Sequence, residues 1–229
     1  MSILKNKLDK LLTLERMQVK EFMRSLENKL SGPKPGLKAQ LTMITNPRPG
    51  NQVYQQVENS SYKAGVLVLL YPQKGRLHLV LTRRTEQVDY HKGQISFPGG
   101  RQEKRETLEQ TAKREAQEEL DIDPDSIRIL GRLTPLYIPP SNYCIYPIVA
   151  ISEGRPDFRP FRLEVAEVLE IPLDHLMDSH TVQREMRIIR GTEVEVPFYA
   201  FGEHKIWGAT AMVLAELVEV LKREDQFFP

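Results

Sequence analysis

Apolar and polar positions along the chain follow distinct rhythms. Between residues 3 and 30, apolar side chains fall at 4, 8, 11, 12, 19, 22, 23, 26 and 30, with no proline or glycine among them. That is helical spacing, and it predicts one or two helices. Ser31-Gly32-Pro33-Lys34-Pro35-Gly36 ends them, because proline withholds a backbone donor and glycine is costly in a helix. Residues 46–61, with Pro47, Pro49 and Gly50, read as a polar surface connection. From 65 to 71 the run is continuously apolar, as in a buried strand, and 72–75 turns the chain into a second strand at 77–82, so the two predict a hairpin. Further on, 127–137 and 143–151 predict a strand pair around Pro139-Pro140-Ser141-Asn142. A short strand at 167–171 leads to a helical turn at 172–176, and short strands follow at 187–189, 197–201 and 205–207. Two later stretches are helical. Leu108, Ala112, Ala116 and Leu120 repeat every fourth residue in 107–120, and Met212, Leu214, Leu217, Val218 and Leu221 mark the buried side of 209–222. Strands in mixed order around well-separated helices predict a layered α/β domain.

The helix at 107–120 also carries chemistry on its polar side. Residues three and four apart are neighbours on a helix, so Glu115 lies beside Glu118 and Glu119, and Arg114 reaches Glu118. Carboxylates crowded into one patch repel and raise one another's pKa unless a cation lies between them. Their oxygens suit Mg²⁺, which keeps some of its waters and binds substrate phosphates as well.

The spacing resembles the Nudix box: Gly, five residues, Glu, seven residues, then Arg-Glu-U-x-Glu-Glu-x-Gly-U, where U is a bulky aliphatic residue. Gly100, Glu106, Arg114, Glu115, Glu118, Glu119 and Ile122 fill their slots. Ala116 is smaller than usual, and Asp121 replaces the closing glycine, whose left-handed conformation Asp tolerates better than most residues do. Upstream, Leu81, Thr82, Arg84, Gly93, Phe97, Pro98, Gly99 and Gly100 are similar to a second signature, that of the coenzyme A pyrophosphatase branch. Thr85 stands there in place of Ser or Ala, and Asp89 in place of Arg, which reverses the local charge.

The resemblance implies a Nudix-type α/β/α sandwich with a central mixed β-sheet over 61–229, preceded by a helical extension and linker over 1–60. It also implies a pyrophosphohydrolase that cleaves the phosphoanhydride of a nucleoside diphosphate derivative. Coenzyme A or an acyl or oxidised form would yield 3′,5′-ADP and 4′-phosphopantetheine. ADP-ribose or a dinucleotide is the other substrate reading, and a Nudix-fold binding or regulatory module without turnover is the reading from a different class. Glu115, Glu118 and Glu119 would hold Mg²⁺ or Mn²⁺, Arg114 would orient Glu118, and Arg84, His91, Gly99 and Gly100 would meet the substrate. The general base stays open among Glu118, Glu119, Glu164 and Glu167.

Composition narrows the rest. With 229 residues, 40% of them hydrophobic and 28% charged, the chain can bury a sizeable core. A net charge of +1 gives no case for nucleic acid as a partner, and no apolar run is long enough to span a membrane. The leading 38 residues hold nine Lys/Arg against four Asp/Glu. That surplus could favour an anionic surface or nucleic acid, but it fits better the solvated face of a helix packed on the body or on a second copy, as in a homodimer. The first residues are too charged for a signal peptide, so a cytoplasmic protein is expected. Cys144, the single cysteine, lies in an apolar run and is expected to be a buried structural thiol.

Overall fold

In the computed structural model, which describes residues 19–46, 62–86 and 93–222, the chain enters through a helix over 19–31 (α1) and a one-turn helix, Leu37–Gln40 (α2). The expected hairpin follows as β1 (Tyr62–Gln73) and β2 (Arg76–Arg84), with Leu70 opposite Leu79. Two short strands, β3 (Ile95–Ser96) and β4 (Gly99–Arg101), lead into α3 (Leu108–Leu120). Next come β5 (Ile127–Arg132), β6 (Leu136–Ile138), β7 (Tyr143–Ser152) and β8 (Val165–Pro172), then the turn of helix α4 (Leu173–Met177). A hairpin of β9 (Val182–Ile189) and β10 (Thr192–Phe201), then β11 (His204–Trp207) and α5 (Gly208–Leu221), complete the described chain.

The main sheet runs β3-β2-β1-β7-β5, with β4 added to β1, β6 to β7 and β8 to β2. Its β1–β7 pairing is parallel and the others are antiparallel, so the sheet is mixed as expected. Alternation along β1 separates two cores. Leu67, Leu69 and Tyr71 pack with Ala112, Ala116 and Leu120 of α3. Val68 and Leu70 face the other way, with Leu79 and Leu81, toward Phe22, Leu26 and Leu30 of α1 and the length of α5. Each such aliphatic or aromatic side chain contributes about 1.5–3 kcal/mol when fully buried. The result is a sheet between helices, an α/β/α sandwich, in which α1 shares the core of the body. Cys144 is buried, and burial raises its thiol pKa.

The strand expected over 127–137 is two strands, β5 and β6. The β5–β7 register shifts between Ile129 and Gly131, and a Cβ on Gly131 would come within 2.7 Å of Leu30 in α1, so the bulge lets sheet and helix touch. The short strands expected at 187–189 and 197–201 are the ends of the longer β9–β10 hairpin. After Val182 the first half of β9 is polar and largely exposed, and so carries little apolar signal. α5 is buried nearly all round, with Ala211, Val213, Ala215 and Val220 buried beside the expected side, as befits a helix inside a core. The helical stretch before residue 19 and the connection over 47–61 lie outside the described residues.

Candidate active site

Both ends of α3 are set by local chemistry. Thr107 caps the N-terminus: its hydroxyl accepts from the Gln110 N–H at 3.2 Å, while the Gln110 side chain accepts from the Thr107 N–H at 2.8 Å. At the other end Asp121 has φ 58°, the left-handed conformation expected of the residue in the glycine slot, and its N–H donates to Gln117 O at 2.8 Å. With Ala112, Ala116 and Leu120 held against the sheet, the glutamate side of α3 turns to β4 and the loop before β8.

Arg114 is the hub of this face. Its Nε donates to Glu106 Oε1 at 2.8 Å, and its Nη1 lies 2.9 Å from Glu115 Oε1 and 3.1 Å from Glu118 Oε2. Glu106 also accepts from the Thr111 hydroxyl at 2.9 Å and from the Glu103 N–H at 3.2 Å, so it ties the β4–α3 loop to the helix. The Arg114 hydrogen bond, foremost, holds the Glu106 carboxyl below its usual range.

Glu119 differs from its neighbours. It is 6% exposed, and burial pushes its pKa up to about 8, opposed by Arg84 and reinforced by the negative charges of Glu115 and Glu164. Glu115 is raised in the same direction, chiefly by burial, with Arg114 opposing. Arg84 Nη1 lies 3.9 Å from Glu119 Oε1, and its Nη2 lies 3.6 Å from Glu164 Oε2. Among the described residues, Glu119 Oε2 and Arg84 Nε are buried atoms with no hydrogen-bond partner. Leaving such atoms unpaired is costly, so a ligand that satisfies them binds with that much less to lose.

The glycines before α3 allow this close approach. Gly99 has φ 155°, its N–H donates to the Glu119 carboxylate, and a Cβ there would overlap Val66 of β1. On Gly100 a Cβ would overlap the Glu115 carboxylate itself. Any larger residue would push the acidic face away from the strand end.

Glu115, Glu118, Glu119, Glu164 and Phe161 line one cleft of about 360 Å³. The loop carrying Phe161 and Glu164 is clamped to the end of α3: the N–H of Phe161 donates to Glu119 O and that of Arg159 to Leu120 O, both at 2.9 Å. Glu167 points elsewhere, 3.0 Å from Arg83 Nε and 3.2 Å from His204 Nε2.

Most of the residues expected at the site therefore converge: Arg84, Gly99, Gly100, Arg114, Glu115, Glu118, Glu119 and Glu164. His91 lies outside the described residues. Phe161 escaped the sequence reading, since a single aromatic in a loop has no periodicity to mark it. Among the described residues, no three His, Cys, Asp or Glu side chains already form a closed cage, because Arg114 holds Glu115 and Glu118. The donor set nonetheless fits a divalent cation: clustered carboxylates, one of them buried with a free oxygen, supply the hard, charged ligands that such an ion requires.

A mixed sheet between helices, with an acidic helix laid against a Gly-Gly strand end, defines a class of protein. The NUDIX domain family matches residues 61–187, and the chain belongs to the Nudix family. It is a Nudix hydrolase acting on a diphosphate substrate. It is 32% identical over 163 residues to the Nudix hydrolase NudL of Photorhabdus laumondii, covering 71% of this chain and 86% of that protein. With the human mitochondrial coenzyme A diphosphatase NUDT8 it shares 31% identity over 163 residues, 69% of either chain. Among solved structures, the Nudix hydrolase RenU of M. smegmatis aligns over 71% of this chain and 87% of its own, at 17% identity and a TM-score of 0.48. No helix of the described residues is long and apolar enough to cross a membrane.

Proposed function

We propose that the chain hydrolyses the phosphoanhydride bond of coenzyme A or an acyl or oxidised derivative, releasing 3′,5′-ADP and the corresponding 4′-phosphopantetheine. The observation that carries the reading is the cleft itself. Glu119 offers a buried, unpartnered oxygen, and Arg84, with an unpartnered nitrogen, stands beside it. An acidic group and a cationic one, side by side and unsatisfied, suit a cation together with an anionic diphosphate. The coenzyme A end of the reading is supported by Leu81, Thr82, Arg84, Gly93 and Phe97-Pro98-Gly99-Gly100, and by the likeness to a coenzyme A diphosphatase.

Glu115, Glu118 and Glu119 would hold Mg²⁺ or Mn²⁺. Such an ion, when bound, neutralises phosphate charge and lowers the pKa of a coordinated water. The protein's own groups do the rest. Arg84 contacts the diphosphate and keeps it in line. Arg114 holds Glu115 and Glu118 in register, and Glu106 holds Arg114. Gly99 and Gly100 let the acidic face of α3 lie directly against the strand end, so that Glu115 and Glu119 stay where the diphosphate would meet them. Glu164, 46% exposed in its side chain and clamped through its loop to Glu119, accepts the proton of the attacking water. Glu167, engaged by Arg83 and His204, is the weaker candidate for that step. Phe161 supplies an apolar wall for the organic group next to the diphosphate.

The test is a panel of coenzyme A, acetyl-coenzyme A, coenzyme A disulfide, ADP-ribose and diadenosine polyphosphates, run with Mg²⁺, with Mn²⁺ and with a chelator, and products identified by mass. We expect metal-dependent release of 3′,5′-ADP at the highest kcat/KM. A higher value for ADP-ribose or a dinucleotide would move the substrate assignment, and no turnover of any diphosphate with either metal would end it.

A further inference from the structure

The second sheet runs β11-β10-β9, and among the described residues no strand pairs with the outer edge of β9. One face of this edge strand carries Val182, Arg184, Met186 and Ile188, and Met186 is 58% exposed and Ile188 79%. An open strand edge flanked by bare apolar side chains is a ready template for another strand, and proteins normally cover or blunt it. Here the edge is self-complementary. Glu185 precedes Met186 and Arg187 follows it, so the charges stand in mirror order about one residue.

We propose that β9 pairs antiparallel with β9 of a second copy of this chain, about a two-fold axis at Met186, so that the two small sheets become one continuous sheet. A two-fold axis normal to a sheet keeps each residue on its own face, so directly opposed residues share parity and the axis must pass a residue rather than a gap. An axis at Arg184, Glu185 or Arg187 puts two like charges face to face, which destabilises a strand pair. One at Ile188 uses only the end of the strand and sets Met186 against Arg190 in the turn. The axis at Met186 uses residues 183–189 and sets Met186 against the partner's Met186. It also brings Glu185 opposite the partner's Arg187, and Ile188 beside the stem of the partner's Arg184. Opposed charges and apolar pairs of this kind are what stabilise neighbouring strands. Arg187 and Lys205 both pair with Glu185 within one chain and Arg187 lies over the Trp207 ring, so the polar face of the edge is already ordered. β9 contributes no residue to the catalytic cleft, so this pairing stands apart from the substrate reading.

Sedimentation velocity of the full chain from low to high micromolar concentration tests it. Wild type is expected to shift from monomer toward dimer, and Met186→Lys, which puts two ammonium groups at the axis, to weaken the dimer at least about tenfold. Met186→Leu should leave the equilibrium close to wild type. A monomer at every concentration overturns the proposal, and so does a dimer that Met186→Lys leaves unchanged. Should Met186→Lys fold poorly, Met186→Cys under oxidation by diamide is the second measurement. Cys144 is buried and does not compete. A disulfide-linked dimer is then expected, and its absence overturns the pairing.

Discussion

Two buried glutamates, one on each side of the sheet, show what distinguishes a scaffold carboxylate from a working one. Glu216, on α5, is fully buried, and its two oxygens accept from the Thr134 hydroxyl at 2.6 Å, the Thr134 N–H at 3.0 Å, the Gln40 side chain at 2.8 Å and the Gly36 N–H at 3.1 Å. Every direction is used. It staples α2 and the β5–β6 connection to α5. Glu119, on α3, is almost as buried, yet it keeps an oxygen with no donor among the described residues and an arginine at arm's length. Burial is the same and saturation is not. A carboxylate that the protein has satisfied holds the fold together, whereas one left unsatisfied stores a desolvation cost that a ligand can relieve.

The sharpest way to break the comparison is at Glu216. Replacing it by Ala removes the acceptor from the buried Gln40 amide and from the half-buried donors of Gly36 and Thr134, at about 1–3 kcal/mol for a buried group left unpaired and less for the half-buried ones. We expect a loss of about 4 kcal/mol in denaturant unfolding. Turnover per folded molecule, measured below the unfolding transition, should change little. A large loss of activity with stability intact would reverse the roles assigned to the two carboxylates.

The complementary change is Glu119→Gln. It keeps size and burial but removes the charge that a cation needs, so turnover with Mg²⁺ should fall at least about a hundredfold, or about 2.7 kcal/mol of transition-state stabilisation. Stability should move the other way, and pH exposes the reason. The folded-state pKa of Glu119, about 8, lies above the usual carboxylate value near 4.5, because burial disfavours the charge. Between those pH values the folded chain holds a proton that the unfolded chain has released. The stability from this group is therefore complete below the lower value and is lost as pH rises through the upper one, at up to about 1.4 kcal/mol per pH unit. Added Mg²⁺ should raise the melting temperature more at pH 8.5 than at pH 5.5, since it favours the ionised form. In Glu119→Gln both the slope and the metal effect should flatten. A wild-type stability that rises with pH across this window would contradict the environment described for Glu119.

The same contrast marks how far the sequence could be read. The glutamates of α3 were legible because helical spacing is local: positions 115, 118 and 119 share a face whatever the rest of the chain does. The two-layered burial of β1 and its hairpin with β2 were legible for the same reason. Glu216 was not, being one acidic residue in an apolar helix whose partners lie far away in sequence at Gly36, Gln40 and Thr134. The nearness of Arg84 to Glu119 likewise depends on how β2 and α3 are brought together, although the upstream pattern had already singled out Arg84. The first half of β9 was hidden because an exposed edge strand carries the polar composition of a loop.

Asp121 offers the finest test, because it too is a carboxylate near the acidic face but lies past the helix end. Its φ of 58° is a conformation in which a side chain costs energy that glycine avoids, and its only ion pair among the described residues is with exposed Arg159, at 3.7 Å. Asp121→Gly should restore the usual closing residue of the box and relieve that strain, while losing a surface ion pair that contributes little. The net gain in stability should be about 0.5 kcal/mol and no more than about 1 kcal/mol. Turnover should stay within about twofold of wild type, since Asp121 does not line the cleft and its side chain is solvated. Differential scanning fluorimetry and initial rates on the same preparations suffice to check it. A fall in rate comparable to that of Glu119→Gln would mean that Asp121 reaches the metal or the substrate, and that closeness along the helix outweighs the difference in burial between the two carboxylates.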